Sequence, residues 1–274
     1  MSETNAANRV QAGVTGLLKG TGNIVQGATS VVRDTVVTTL GNVGDVAGSL
    51  ASTAGDIVSG AFAAVNEVGT GAVRTAKGLV VGLLEGVGEI ATVTVGTISD
   101  VVRVAIKGTG SIGTDAALTV SSIAEGVITA TKTTGVSLAD GAVALGSSVI
   151  GGVKDLGTGL VETASATVSG AVRGAAQIGG DTLEAASNTA KGLVKGAGEV
   201  GADIVGVTTG AISGAISGAK ELGLSVEDAA SAAATGAFQA AESIGESAVH
   251  AVRDVAASGV DGVKAVIKGQ QETA

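Results

Sequence analysis

Lys19-Gly-Thr-Gly-Asn-Ile24 returns as Lys107-Gly-Thr-Gly-Ser-Ile112 and again as Lys195-Gly-Ala-Gly-Glu-Val200, 88 residues later each time. Glu67-Val-Gly-Thr-Gly-Ala-Val73 comes back as Asp155-Leu-Gly-Thr-Gly-Leu-Val161 at the same interval, and Glu85-Gly-Val-Gly-Glu-Ile90 begins 66 residues after Lys19. The two phenylalanines, Phe62 and Phe238, are 176 residues apart. All of these intervals are multiples of eleven. With Asn8 as position 1, a frame of 24 elevens runs without a gap to Gln271, leaving residues 1–7 and 272–274 as short tails. Positions 3, 6, 7, 10 and 11 are apolar or small, and of their 120 sites only Glu227 is charged, against 38 charges at the remaining 144. A slip of register anywhere would have blurred that contrast.

Eleven residues in three turns give about 3.67 per turn, which is helical and far from a strand's period of two. The five positions then form one stripe about 130° wide. A strictly kept eleven holds such a stripe on one side, with at most a slight right-handed supercoil. The expected fold is all-α: a very long amphipathic helix, or helical hairpins of it. Unbroken, the frame would span roughly 400 Å. Gly151-Gly152 and Gly179-Gly180 are the weak candidates for hinges. The large stripe residues in the first half are Leu17, Leu18, Ile24, Leu40, Phe62, Leu79, Leu83, Leu84, Ile90, Ile98, Ile106, Ile112, Ile123 and Ile128. In the second half they are Leu145, Ile150, Leu156, Leu160, Leu183, Leu193, Ile204, Ile216 and Phe238.

The two borders of the stripe differ. Position 4, on one border, holds seven of the sixteen bases: Arg33, Lys77, Lys132, Lys154, Lys220, Arg253 and Lys264. Position 5, on the far face, holds ten acids. Basic stems beside an apolar stripe suit a helix lying on lipid headgroups, whereas solvated i,i+4 pairing is the plainer alternative. The other border is glycine. Positions 9 and 2 carry 21 of the 46 glycines. They make Gly-x-x-x-Gly five times: Gly16/Gly20, Gly82/Gly86, Gly170/Gly174, Gly192/Gly196 and Gly214/Gly218. Small residues at this spacing let helix backbones approach closely.

Composition narrows the function. Among 274 residues there is no proline, cysteine, tryptophan or tyrosine, and one histidine, His250. That leaves no thiolate site and little for acid–base catalysis. A net charge of −9 argues against nucleic-acid binding. Gly108-Thr-Gly-Ser-Ile-Gly113 and Gly196-Ala-Gly-Glu-Val-Gly201 match a dinucleotide fingerprint. They lack the preceding strand, and arise from glycine-rich repeat positions. An enzyme is not expected, nor a cofactor, metal or small-molecule substrate. The first residues lack a basic region followed by an apolar run, and the longest uncharged stretch, Ile204–Ala219, is 16 residues, short of a membrane span. The expected location is cytoplasmic, peripheral on a membrane or lipid droplet.

Forty-six glycines oppose an isolated helix by on the order of 40 kcal/mol relative to alanine. The stripe must therefore be buried against lipid, another copy, or another part of the chain. A lone monomer is expected to be poorly helical until it finds that partner.

Thr75-Ala-Lys-Gly-Leu-Val80, Thr189-Ala-Lys-Gly-Leu-Val194 and Val31-Val-Arg-Asp-Thr-Val-Val-Thr-Thr-Leu40 resemble the 11-residue arrays of perilipins, and synucleins share the period. The resemblance covers Asn8 to Gln271 and rests on period and composition. It implies long helices coating lipid droplets or phospholipid vesicles. The lysine-rich core of the synuclein repeat is absent and the chain is acidic, so lipid contact would rest on small apolar footprints more than on anionic headgroups. The first expectation is a non-enzymatic lipid-surface coat. The alternative is a self-assembling structural protein, a helical bundle, coiled coil or filament joined through the stripe and the glycine edge.

Overall fold

The computed structural model describes residues 3–19, 23–41, 46–68, 72–109, 116–153 and 159–268. Twelve helices lie among them: α1 (Glu3–Lys19), α2 (Ile24–Leu40), α3 (Val46–Val68), α4 (Ala72–Ile90), α5 (Val95–Thr109), α6 (Ala116–Thr134), α7 (Leu138–Val153), α8 (Leu160–Ile178), α9 (Thr182–Val200), α10 (Ile204–Leu222), α11 (Val226–Ile244) and α12 (Glu246–Ser258). The chain is all-α, but it is not one long helix. From α8 to α11 the helices start 22 residues apart, twice eleven, and each of these helices has 19 residues, about 28 Å.

Three residues make each break. Gly179, Gly201 and Gly223 adopt φ of 71°, 66° and 69°, left-handed values that a Cβ disfavours. The amide after each glycine reaches back to close the helix end: Gly180 N donates to Ala175 O at 2.8 Å, Ala202 N to Ala197 O at 2.8 Å, and Leu224 N to Ala219 O at 2.9 Å. The third residue begins the next helix. Asp181 accepts from the amides of Leu183 and Glu184 at 2.8 and 3.1 Å, and Ser225 accepts from Asp228 N at 3.1 Å. Gly135 (φ 75°) and Ser137, which accepts from Asp140 N at 3.0 Å, repeat the device between α6 and α7. Gly179-Gly180 is thus a break, whereas Gly151-Gly152 lies inside α7. The unbroken helix fails because, at 135–137, 179–181, 201–203 and 223–225, a left-handed glycine and a capping-type residue stand together, 22 or 44 residues apart.

From α1 to α9 each helix packs most closely on the second helix after it and less closely on its immediate neighbour, whereas the short α12 lies more on α11 than on α10. Odd-numbered helices therefore form one layer and even-numbered helices the other. Close approaches show that helices within a layer are parallel. Gly170 and Gly174 of α8 face the backbone at Ser121 and Glu125 of α6, and Gly210 and Gly214 of α10 face Val161 and Ser165 of α8. Both members of each pair advance by four, so the helices run the same way. The core between and within the layers is Val, Ala, Leu and Ile, with Phe62 inside it.

Candidate interaction surfaces

The stripe is turned inward. Leu40, Phe62, Leu79, Leu83, Leu84, Ile98, Ile106, Ile123, Ile128, Leu145, Ile150, Leu193, Ile216 and Phe238 are buried against other parts of the chain. Leu17, Leu18, Ile24, Ile90, Leu160, Leu183 and Ile204 are half-buried. Of the three partners open to it, the stripe takes the chain's own helices. Ile112, Leu156, Lys154 and Gly20 lie outside the described residues.

The glycine edge forms the seams inside each layer. A Cβ at Gly82 would stand 2.6 Å from Thr29 O, and one at Gly174 would stand 2.9 Å from Glu125 O. At Gly170, Gly192 and Gly214 it would overlap the carbonyls of Ser121, Val143 and Ser165 outright. Gly196 meets the Ser147 backbone at 2.9 Å, while Gly86 and Gly218 face the Cβ atoms of Val36 and Val172 at 2.8 and 3.1 Å. Such approach brings Cα–H groups onto carbonyl oxygens, a weak contact repeated many times. Gly16 differs: among the described residues nothing lies within 4 Å of the place its Cβ would take.

The basic border does not stay a border. Lys77 of α4 donates to Glu125 of α6 and to Gln177 of α8, both at 2.6 Å. Gln177 donates to Glu125 in turn. Arg173 of α8 donates to Ser121 at 2.5 Å and to Glu221 of α10 at 2.9 Å, and its Nε lies 3.6 Å from Glu125. The result is a polar ladder along the even layer with Glu125, 14% exposed, at its centre. Arg33 pairs with Asp34 at 3.2 Å and with Glu89 of α4 at 3.4 Å. Arg253 lies over the Phe238 ring, 5.2 Å from its centroid, while Lys132, Lys220 and Lys264 are exposed. Lys19 and Glu67, 3.1 Å apart, join α1 to α3. That hydrogen bond, and then the lysine's charge, hold the Glu67 carboxyl below its ordinary pKa.

Glu125, Arg173, Gln177 and Glu221 were not singled out from the sequence. A signal was present: Lys19/Glu67, Lys77/Glu125 and Arg173/Glu221 are each separated by 48 residues, one two-helix step of 44 plus one turn. It becomes visible only once the 44-residue step is known.

Two further surface features are apolar. Val73, Leu118, Val161, Val205 and Val249 occupy the first turns of α4, α6, α8, α10 and α12. Leu118, Val161 and Val205 are 56%, 40% and 48% exposed, so a ridge runs along one rim of the even layer. A cleft of about 540 Å³ lies between the start of α10 and the end of α12, lined by Val205, Thr209, Asp254, Val260 and Asp261 among others. His250 is near Glu246 at 3.9 Å on an exposed face. Among the described residues no helix is long and apolar enough to cross a membrane. No protein-family model matches the chain, and no curated protein proves similar to it.

Proposed function

We propose that this chain is a non-enzymatic structural protein whose working part is the helix stack itself, built through the apolar stripe and the glycine edge and able to join with further copies. The observation that carries this reading is the set of seams in which glycine meets the carbonyls of the helix two places earlier. The stripe has no need of lipid when each helix buries it on its neighbours, and the glycine that destabilises an isolated helix becomes the condition for close packing.

A cysteine staple tests it. The place of a Cβ on Gly126 is 3.4 Å from Val80 Cβ, near the separation of about 3.5–4.5 Å that a disulfide needs. The chain has no cysteine to compete. Val80→Cys with Gly126→Cys should form an intramolecular disulfide in dilute, lipid-free protein that is strongly helical by circular dichroism. A lipid-free chain that is unfolded and leaves both thiols free overturns the reading.

A coat on a lipid surface is the second reading, in line with the resemblance to perilipins, and the exposed ridge Leu118, Val161 and Val205 favours it. A ridge of this size would insert shallowly at the headgroup boundary, with the stack intact. Flotation with phospholipid vesicles or oil droplets should then be lost on Leu118→Glu, Val161→Glu and Val205→Glu together, and retained by the stapled protein. If the unstapled protein floats and the stapled one does not, lipid binding instead requires opening of the stack, with the stripe itself laid on the surface. No flotation by either removes the lipid reading.

A further inference from the structure

The two ends of the odd layer are unlike. At its beginning, α1 presents Ala12 and Gly16 to solvent, both exposed. These residues stand where an interior odd helix has its seam. In α9, Ser187 faces Gly236 of α11, while Gly192 and Gly196 face Val143 and Ser147 of α7. In α1, Ala7 faces Gly60 of α3, and Ala12 and Gly16 follow Ala7 at the spacings at which Gly192 and Gly196 follow Ser187. The seam is built, and no helix among the described residues lies in it.

At the other end, α11 is the last odd helix. The residues that correspond on it to Val143 and Ser147 of α7, 88 further on, are Ser231 and Thr235. A following odd helix would sit there. The chain puts something else in that seat. α12 stops at Ser258 after 13 residues, shorter than the 19 of α8 to α11. Gly259 (φ 81°), Asp261 (φ 49°) and Gly262 (φ 79°) then turn the chain back, and Val260 and Val263 exchange both backbone hydrogen bonds at 2.9 Å. The following non-helical segment lies on α11. Val266 N donates to Ser231 Oγ and Lys268 N donates to Thr235 Oγ1, both at 3.0 Å. Asp261 accepts from Ser213 Oγ of α10 at 2.6 Å. The two hydroxyls that a thirteenth helix would cover are the two that hold the segment.

We propose that residues 259–268 are a displaceable end cap, and that the seat beneath them accepts α1 of a second copy, with Ala12 over Ser231 and Gly16 over Thr235, so that stacks join head to tail in one continuous odd layer. This rests on the structural, self-associating reading above. The occupant is a second copy because the new seam continues the α7–α9 and α9–α11 seams in register, with small residues (Ala12 and Gly16) in the places of Gly192 and Gly196, and Ser231 and Thr235 in the places of Val143 and Ser147. The contact is heterologous, so it propagates along a line unless a cap ends it. Ten residues held by these two hydrogen bonds, by Ser213 on Asp261 and by Val260, Val263, Ala265 and Ile267 against the core make a smaller contact than a 19-residue helix would, so the cap is one that can yield to another helix.

The experiment uses the full chain. Val266→Pro with Lys268→Pro removes both donated amides and should release the cap. Sedimentation velocity is expected to show a monomer for the parent at micromolar concentration and a concentration-dependent series of larger species for the released variant, with rods in negative stain. Adding Gly16→Glu, at an exposed position, should return the released variant to monomer. Gly16→Cys with Thr235→Cys in the released background should give disulfide-linked dimers and higher ladders, since these residues lie at opposite ends of one molecule. Hydrogen exchange over residues 259–268 reports release, and a variant ending at Ser258 that keeps its helicity repeats the test if the segment stays protected. A helical, cap-released protein that remains monomeric overturns the inference, as does assembly that ignores Gly16→Glu. Failure of the stack itself would appear earlier, as loss of helicity and of the Val80–Gly126 staple.

Discussion

At the scale of the residue, glycine has two opposite roles depending on what faces it. In α10, Gly214 lies against the Ser165 backbone and has no room for a methyl group, whereas Gly16 in α1 has nothing near it among the described residues. Gly214→Ala should therefore destabilise the protein by about 1–3 kcal/mol, because separating two helix backbones outweighs the helix-propensity gain. Gly16→Ala should be neutral or stabilise by up to about 1 kcal/mol. Denaturant midpoints of the two variants decide the matter, and equal shifts would contradict the seam. Glu125 is the other informative residue. It is 14% exposed and receives Lys77 and Arg173, themselves largely covered, and the exposed Gln177. Removing its charge leaves two cations without their shared acceptor. In a double-mutant cycle, Glu125→Gln and Arg173→Met should show a coupling of about 1–2 kcal/mol. The exposed pair Lys19–Glu67 should show far less, and less still in high salt.

Among elements, the unit is the helix with its three-residue turn, and the unit of packing is a pair of them. Glycine, any residue, then Asp or Ser stands at Gly135-Val136-Ser137, Gly179-Gly180-Asp181, Gly201-Ala202-Asp203 and Gly223-Leu224-Ser225, spaced by 22 or 44 residues. These breaks were legible in the sequence as a C-terminal glycine followed by an N-cap, but the continuity of the apolar frame across them hid them. The frame persists because three turn residues continue the count of eleven without continuing the helix. Deleting 44 residues, 160–203, removes one helix from each layer and places α10 on α6 in the seam α8 had occupied. Deleting only 22, residues 182–203, sends α10 into the odd layer, where it must pack on α7 with the contact residues of an even helix, and moves every later helix to the wrong layer. The first variant should stay helical with a cooperative thermal transition. The second should lose several kcal/mol or fail to fold, as read by circular dichroism. Similar behaviour of the two would contradict the layered order.

For the whole molecule, helix backbones pack on neighbours up to two places along the chain, with the Lys77–Gln177 hydrogen bond between α4 and α8 reaching further, so stability is close to a sum of local seams. Unfolding by urea should spread from the ends: hydrogen exchange is expected to be fastest in α1, α2 and α12 and slowest in α6 to α10, and uniform protection would count against this. The sequence by itself determined the helix, the stripe and its register, the glycine edge, and the exclusion of thiolate and histidine-cluster chemistry. These follow from period and composition, which are properties of one strand of chain. It also determined that the stripe needs burial, without saying by what, since lipid, a second copy and the same chain all offer an apolar surface of equal chemistry. Only the tertiary structure decided that. Recurrent turns fold the stripe back on itself, so the partner nearest in space is the helix two places along, at an effective concentration no separate molecule matches. The opening of that arrangement at α1, and its closure over α11, are likewise invisible in a repeating sequence, because every repeat looks alike until the fold assigns it a neighbour.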